Sequence, residues 1–133
     1  MHSLKHVIVL NNKSSLVFFV TQDSQFSRMT TDYLATDGQI ILLAFNQIEE
    51  CLTFIQENPI LVLIHLNHCS ELTSQKQKLI DEIKLKSNDT KIYFVIPTEN
   101  EYLPIENYIS MENVVFKSGD MFKEMKELII SAL

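Results

Sequence analysis

The stretch PILVLIHLN, residues 59–67, decides how this chain is read. Ile60, Leu61, Val62, Leu63 and Ile64 form an unbroken aliphatic run with no polar face. A run this short, opened by a proline and closed by polar residues, suits a strand covered on both sides by helices rather than a half-exposed one. Working outward, the same pattern recurs at residues 16–20 (LVFFV), 39–44 (QIILLA), 91–96 (KIYFVI) and 113–116 (NVVF). Segments of helical period lie between these runs. Phe26, Met29, Thr30 and Tyr33 share one helical face, and Ile48, Cys51, Leu52 and Ile55 share another. Asn46 with Glu49 three residues later predicts a cap for that second helix, with Pro59 just beyond its end. Residues 70–86 keep Leu79, Ile80 and Ile83 on one side, while TSQKQK in the first half reads as exposed. Phe122, Met125, Ile129 and Ala132 predict a final helix with Asp120 as its N-cap. Residues 99–110 contain Pro104, which is excluded from a helix interior, so they read as a short helix starting near the proline or as an irregular segment. Strands alternating with helices predict βαβ units and a parallel sheet, an α/β fold.

One strand-like piece stands before this series. HVIVL, residues 6–10, is followed by the polar NNKSS and reads as a hairpin partner of residues 16–20 or as an addition to a sheet edge. The 133 residues make one ordinary domain, divided as an extension over 1–15 and a main domain over 16–133. The chain is 46% apolar and 21% charged, the balance of a globular protein. Its formal charge is −6 with the lysines scattered, which argues against a nucleic-acid footprint and against an anionic-membrane anchor. Two glycines, Gly38 and Gly119, are too few and too far apart for a Walker loop or a dinucleotide fingerprint. The first residues, MHSLKHVIVL, lack a secretory signal pattern, and no apolar run reaches membrane-spanning length. Together with two isolated cysteines, Cys51 and Cys69, this predicts a reduced, cytoplasmic location.

From about residue 16 to the end, the chain resembles the receiver domain of two-component response regulators. PILVLIHLN is similar to the family's third strand, and VVFKSGD to its fifth strand ending in a lysine, here Lys117. The resemblance implies a flavodoxin-like, doubly wound parallel sheet of five strands in the order 2-1-3-4-5. It also implies a pocket at the strand ends, and there the chain departs from the family. The phosphoacceptor aspartate is replaced by His65. The acidic pair aligns with Gln22 and Asp23, so one acid remains. The hydroxyl residue after the fourth strand aligns with Ile96, or with Thr98 on a two-residue shift. The aromatic switch position of the fifth strand aligns with Val114, and the proline after the lysine with Ser118.

Acyl-phosphate formation needs a carboxylate nucleophile, and Mg²⁺ needs oxygen ligands in near-octahedral geometry. With His65 and Gln22 in those positions, Gln22, Asp23, His65, Ile96, Thr98 and Lys117 are expected to form a vestigial pocket with weak Mg²⁺ binding and no aspartyl phosphate. His65 reads as a filler paired with Asp23, with Asp23 and Lys117 balancing charge. The alternative is a phosphorelay protein that accepts phosphate at a non-standard residue such as His65. A zinc reading of His65, His68 and Cys69, completed by Asp23 or Cys51, has no known finger spacing, and Cys69 beside His68 makes a poor catalytic dyad because adjacent side chains diverge. No nucleophile elbow is present. The expectation is therefore a pseudo-receiver without enzymatic activity, cofactor or metal, acting as a phosphorylation-independent interaction module. Family analogy puts its signalling partner, and a homodimer contact if there is one, on the fourth helix, fifth strand and fifth helix, where Met111, Met121 and Met125 read as core or as an adaptable surface. A third reading is an anti-sigma-antagonist-like binding module with Ser70 as its phosphorylatable residue. The HVIVL hairpin favours it, and a helix over residues 24–37 argues against it.

Overall fold

The computed structural model describes residues 15–34, 36 and 38–132. The predicted strand at residues 6–10 lies outside them. Five strands, β1 (Ser15–Val20), β2 (Ile40–Phe45), β3 (Leu61–His65), β4 (Lys91–Ile96) and β5 (Val114–Phe116), form one sheet in the order β2-β1-β3-β4-β5. Among the described residues, all four pairings are parallel. The fold is the flavodoxin-like α/β class expected from the sequence. β1 has a parallel neighbour on each side.

The helices are α1 (Ser24–Leu34), α2 (Ile48–Thr53), α3 (Ser74–Lys86), α4 (Glu99–Tyr102) and α5 (Met121–Ala132). They divide the core into two apolar layers. Val17, Phe19, Leu61, Leu63 and Val95 pack with Phe26 and Leu34 of α1 and Met125 and Ile129 of α5. Phe18, Val62, Ile64 and Phe94 pack with α2, α3 and α4 on the other side. The alternation of strand residues between these layers is the two-residue period of a pleated strand buried on both faces. Strand β3 is buried throughout its length, as PILVLIHLN predicts.

Several local readings are corrected. The inner face of α1 is Phe26, Thr30 and Leu34, one turn apart at each step, while Met29 and Tyr33 are exposed and Tyr33 stacks on Phe122 of α5 at 5.2 Å. The cap of α2 falls one residue later than Asn46 and Glu49: the Glu50 carboxylate accepts the Asn46 and Gln47 N–H groups at 3.1 and 3.2 Å. That helix ends early, and a separate 3₁₀ turn, Ile55–Glu57, closes on Asn58 in the left-handed region at φ 55°. Residues 70–73 are not part of α3, because the Thr73 side chain caps it by accepting the Lys76 N–H. Around Pro104 the helix precedes the proline: α4 begins at Glu99, and Leu103–Ile105 follow as a 3₁₀ turn, whose first residues tolerate a missing N–H. Asp120 stands as predicted ahead of α5, its carbonyl accepting the Glu124 N–H at 3.0 Å.

Candidate functional site

β1 and β3 are neighbours, but the chain leaves β1 for the left-hand edge and returns for β3, so their carboxyl ends form the switch point where open α/β sheets bind ligands. Thr21, the residue after β1, is buried and held by its N–H on Phe45 O. His65 ends β3 and is 7% exposed. Thr21 Oγ1 and His65 Nδ1 are 2.7 Å apart. On the other side of the ring, Lys117 Nζ lies 3.4 Å from His65 Nε2. Lys117 is fixed beyond β5 by its N–H on Ile96 O at 2.8 Å. Phe26, from the first turn of α1, completes the arrangement: its ring centroid is 4.5 Å from that of His65 and 4.4 Å from the Lys117 ammonium.

The hydrogen-bond roles follow from chemistry. An ammonium has only protons to give, so His65 Nε2 accepts and Nδ1–H donates to Thr21 Oγ1. The ring is thus a neutral Nδ1–H tautomer. Burial first, and Lys117 second, lower the His65 pKa from 6.5 to about 4, with Asp23 pulling weakly the other way. The ammonium in turn sits between a nitrogen lone pair and the negative face of Phe26, a cation–π placement.

Asp23 serves α1 rather than this charge. Its Oδ1 accepts the Phe26 N–H at 3.0 Å, its carbonyl accepts the Ser27 N–H, and its own N–H donates to Thr21 Oγ1 at 3.1 Å. Those are the bonds of an N-cap. The expected pairing of Asp23 with His65 or Lys117 is replaced by the Thr21 and Phe26 contacts. Gln22 is exposed and lines a cleft of about 260 Å³ with Asn46, Gln47, Asn67 and Lys76, and Thr21 and His65 line the same cleft. Ile96 is buried at the end of β4 and supplies only its carbonyl, while Thr98 is exposed at the N-cap position of α4 and takes no part in the His65 hydrogen bonds. The structure thus joins His65 and Lys117, links Asp23 to them only through Thr21 and Phe26, and leaves Gln22 and Thr98 at the rim. Sequence reasoning passed over Thr21 because a threonine ending a strand carries no motif, and it counted Phe26 only as core.

HLNHC splits at its asparagine. His65 points into the cluster, while His68 is exposed with Nδ1 3.6 Å from Glu101 Oε1. Glu101 also accepts the Cys69 N–H at 2.9 Å, and that bond, ahead of the other influences, holds its carboxyl below the ordinary range. Among the described residues, no three His, Cys, Asp or Glu side chains are placed to hold a metal ion together. Cys51 is buried in the core, and burial pushes its thiol up to about 12, so it stays protonated. No helix among the described residues is long and apolar enough to cross a membrane.

No protein-family model and no curated protein sequence matches this chain. Solved structures do. A response regulator from Thermotoga maritima aligns with a TM-score of 0.68 at 16% identity, covering 90% of this chain and 97% of that one. The fold is that of a receiver. A pilus assembly-related protein from Burkholderia pseudomallei reaches the same TM-score at 7% identity, with 90% of each chain covered. A protein named adenylate cyclase from Rhodopirellula baltica gives 0.64 at 13% identity, over 90% of this chain and 87% of that one. Names this varied on one receiver-like frame leave function to the side chains at the switch point.

Proposed function

We propose that this chain is a pseudo-receiver, a phosphorylation-independent interaction module in two-component-type signalling without enzymatic activity of its own. The observation that carries the reading is the closed set Thr21, His65, Lys117 and Phe26. Where an ordinary receiver is expected to gather carboxylates around Mg²⁺ and an acceptor aspartate, this set is a neutral imidazole, a hydroxyl and an ammonium. The Lys117 ammonium keeps its charge and repels a divalent cation, and the set contains no carboxylate to hold one. Phosphohistidine formation needs a free ring nitrogen. Here Nδ1 carries the proton given to Thr21 and Nε2 faces Lys117, which disfavours the phosphorelay reading. The helix α1 between β1 and β2 likewise favours a receiver over the anti-sigma-antagonist alternative.

The partner would be a signalling protein, or a second copy, meeting the face made by α4, β5 and α5. Leu103, Tyr108, Met111 and Ile130 are exposed apolar residues of that region, whereas Met125 is core and Met121 is half-buried. Nucleic acid and membrane are not expected partners of a chain with net charge −6.

The test is an amide NMR titration of the whole chain with Mg²⁺ and beryllofluoride, a mimic of the phosphoryl group. The expected result is no saturable shift at Gln22, Asp23, His65 or Lys117. Saturable shifts there, or an acid-labile phosphohistidine after incubation with a histidine kinase, would overturn the proposal.

A further inference from the structure

The cleft of about 260 Å³ at the switch point lies between the carboxyl ends of β1 and β3 and the starts of α2 and α3. Its lining is graded by depth. Val20 of β1, Ile64 of β3 and Ile48 of α2 are buried and Leu79 of α3 is half-buried, so aliphatic side chains form the floor. Gln22, Asn46, Asn67 and Gln75 are exposed and form the rim. These carboxamides come from four separate segments, after β1, after β2, after β3 and at the start of α3. None of the four side chains has a hydrogen-bond partner among the described residues. Thr21 and His65, by contrast, reach the same cleft already bonded to each other.

Charge and size narrow the ligand. The lining holds two carboxylates, Glu49 and Glu71, against the one ammonium of Lys76, and Glu71 is engaged by the Asn67 N–H at 3.1 Å. An anion meets the carboxylates and a cation meets the ammonium, so a neutral molecule is favoured. Neither glycine lines the cleft, which leaves it without a phosphate cradle. Its volume is below the roughly 300 Å³ at which drug-sized sites begin, room for a molecule of one or two rings. A carboxamide offers a donor and an acceptor side by side, the complement of a nucleobase edge such as the N6 and N7 positions of adenine. A flat base also has an apolar face for the aliphatic floor. We propose that this cleft binds a neutral purine base or its nucleoside, with the ring face on Ile48 and Ile64 and its edges read by the rim carboxamides. The net charge of −6 that opposes nucleic acid does not oppose an uncharged base. The inference is independent of the pseudo-receiver reading, whose anion test is also read at Asp23 and Lys117, and neither of those residues lines the cleft.

The experiment is an amide NMR titration of the whole chain with adenosine and with guanosine, repeated with inorganic phosphate and with glucose. The expected result is saturable shifts at Val20, Asn46, Ile48 and Asn67 with at least one nucleoside, and no saturable shift with phosphate or glucose. Asn46→Ala combined with Asn67→Ala removes two free side chains from the rim and should weaken nucleoside binding about tenfold while the β3 amide shifts stay in place. Silence toward both nucleosides, binding that the double variant leaves unchanged, or equal shifts from phosphate or glucose at the same amides would each overturn it.

Discussion

Protonating His65 would place a second cation beside the Lys117 ammonium on a ring that is almost wholly covered. The folded-state pKa of about 4 against 6.5 turns this into a statement about stability. Above pH 6.5 the imidazole is neutral folded or unfolded. Below 6.5 the unfolded chain takes up a proton that the folded chain refuses until about pH 4, so stability falls across that window. Denaturant unfolding at pH 7 and pH 5 should show a loss of about 2 kcal/mol in the parent beyond that in His65→Gln, which does not titrate. Equal losses would mean that His65 is not held neutral. Thr30 supplies a second residue-scale case. It is fully buried on the inner face of α1, and its hydroxyl has no hydrogen-bond partner among the described residues. A valine keeps the shape and removes the unsatisfied group, so Thr30→Val should raise stability by about 1 kcal/mol in chemical denaturation. A loss of similar size would show that the hydroxyl is satisfied by water.

Residues 99–110 show what element-scale physics adds to the local pattern. Pro104 excludes a helix interior around itself, but it does not say on which side the helix stands. That is decided at a distance: the Tyr102 hydroxyl donates to Ile109 O at 2.7 Å inside the core, and the Tyr102 ring meets Phe116 of β5 edge to face at 6.3 Å. The pair closes α4 and the turns after it into one unit against β5. Tyr102→Phe leaves a buried carbonyl without a donor and should lower stability by about 1 to 2 kcal/mol, read as a fall in the denaturation midpoint with unchanged slope. An unchanged midpoint would mean that another group satisfies Ile109 O. The same division between local and distant information runs through the molecule. Burial on both faces left continuous apolar runs, so β3 and β4 were legible to within a residue of their ends. Lys117 and His65 were legible as partners in one pocket because both end strands of a resembling family. The ring between Thr21 and Lys117, and Phe26 beneath the ammonium, were not. They depend on how α1 packs back onto the sheet, which no spacing in the sequence encodes. The faces of α1 were misjudged for a related reason: Met29 and Tyr33 satisfy a helical period as well as Leu34 does, and only the position of α5 chooses between them.

At the scale of the whole molecule, the issue is whether the fold retains two states. A ligand moves a conformational equilibrium only by its difference in affinity for the two forms. In this chain the position aligned with a receiver's switch aromatic is Val114, packed at the margin of the core, and the aromatic that does pack against β5 is Tyr102, fixed by its bond to Ile109. Ile96 presents no hydroxyl at the end of β4, and Thr98 is exposed ahead of α4. A phosphoryl-like anion at the switch point would, on the pseudo-receiver proposal, meet no hydroxyl on the last residue of β4, and the aromatic beside β5 would stay held by its bond to Ile109. On the pseudo-receiver proposal, the α4, β5 and α5 face stays in one dominant conformation, and a partner recognises it as it stands. Relaxation-dispersion profiles of amides in Glu99–Tyr102, Val114–Phe116 and Met121–Ala132 should be flat and unchanged by Mg²⁺ with beryllofluoride. Microsecond-to-millisecond exchange shared by all three elements and altered by the anion would require a second state with different affinity for it. The face would then be a switch, and the closed His65 cluster would be only one of its two positions.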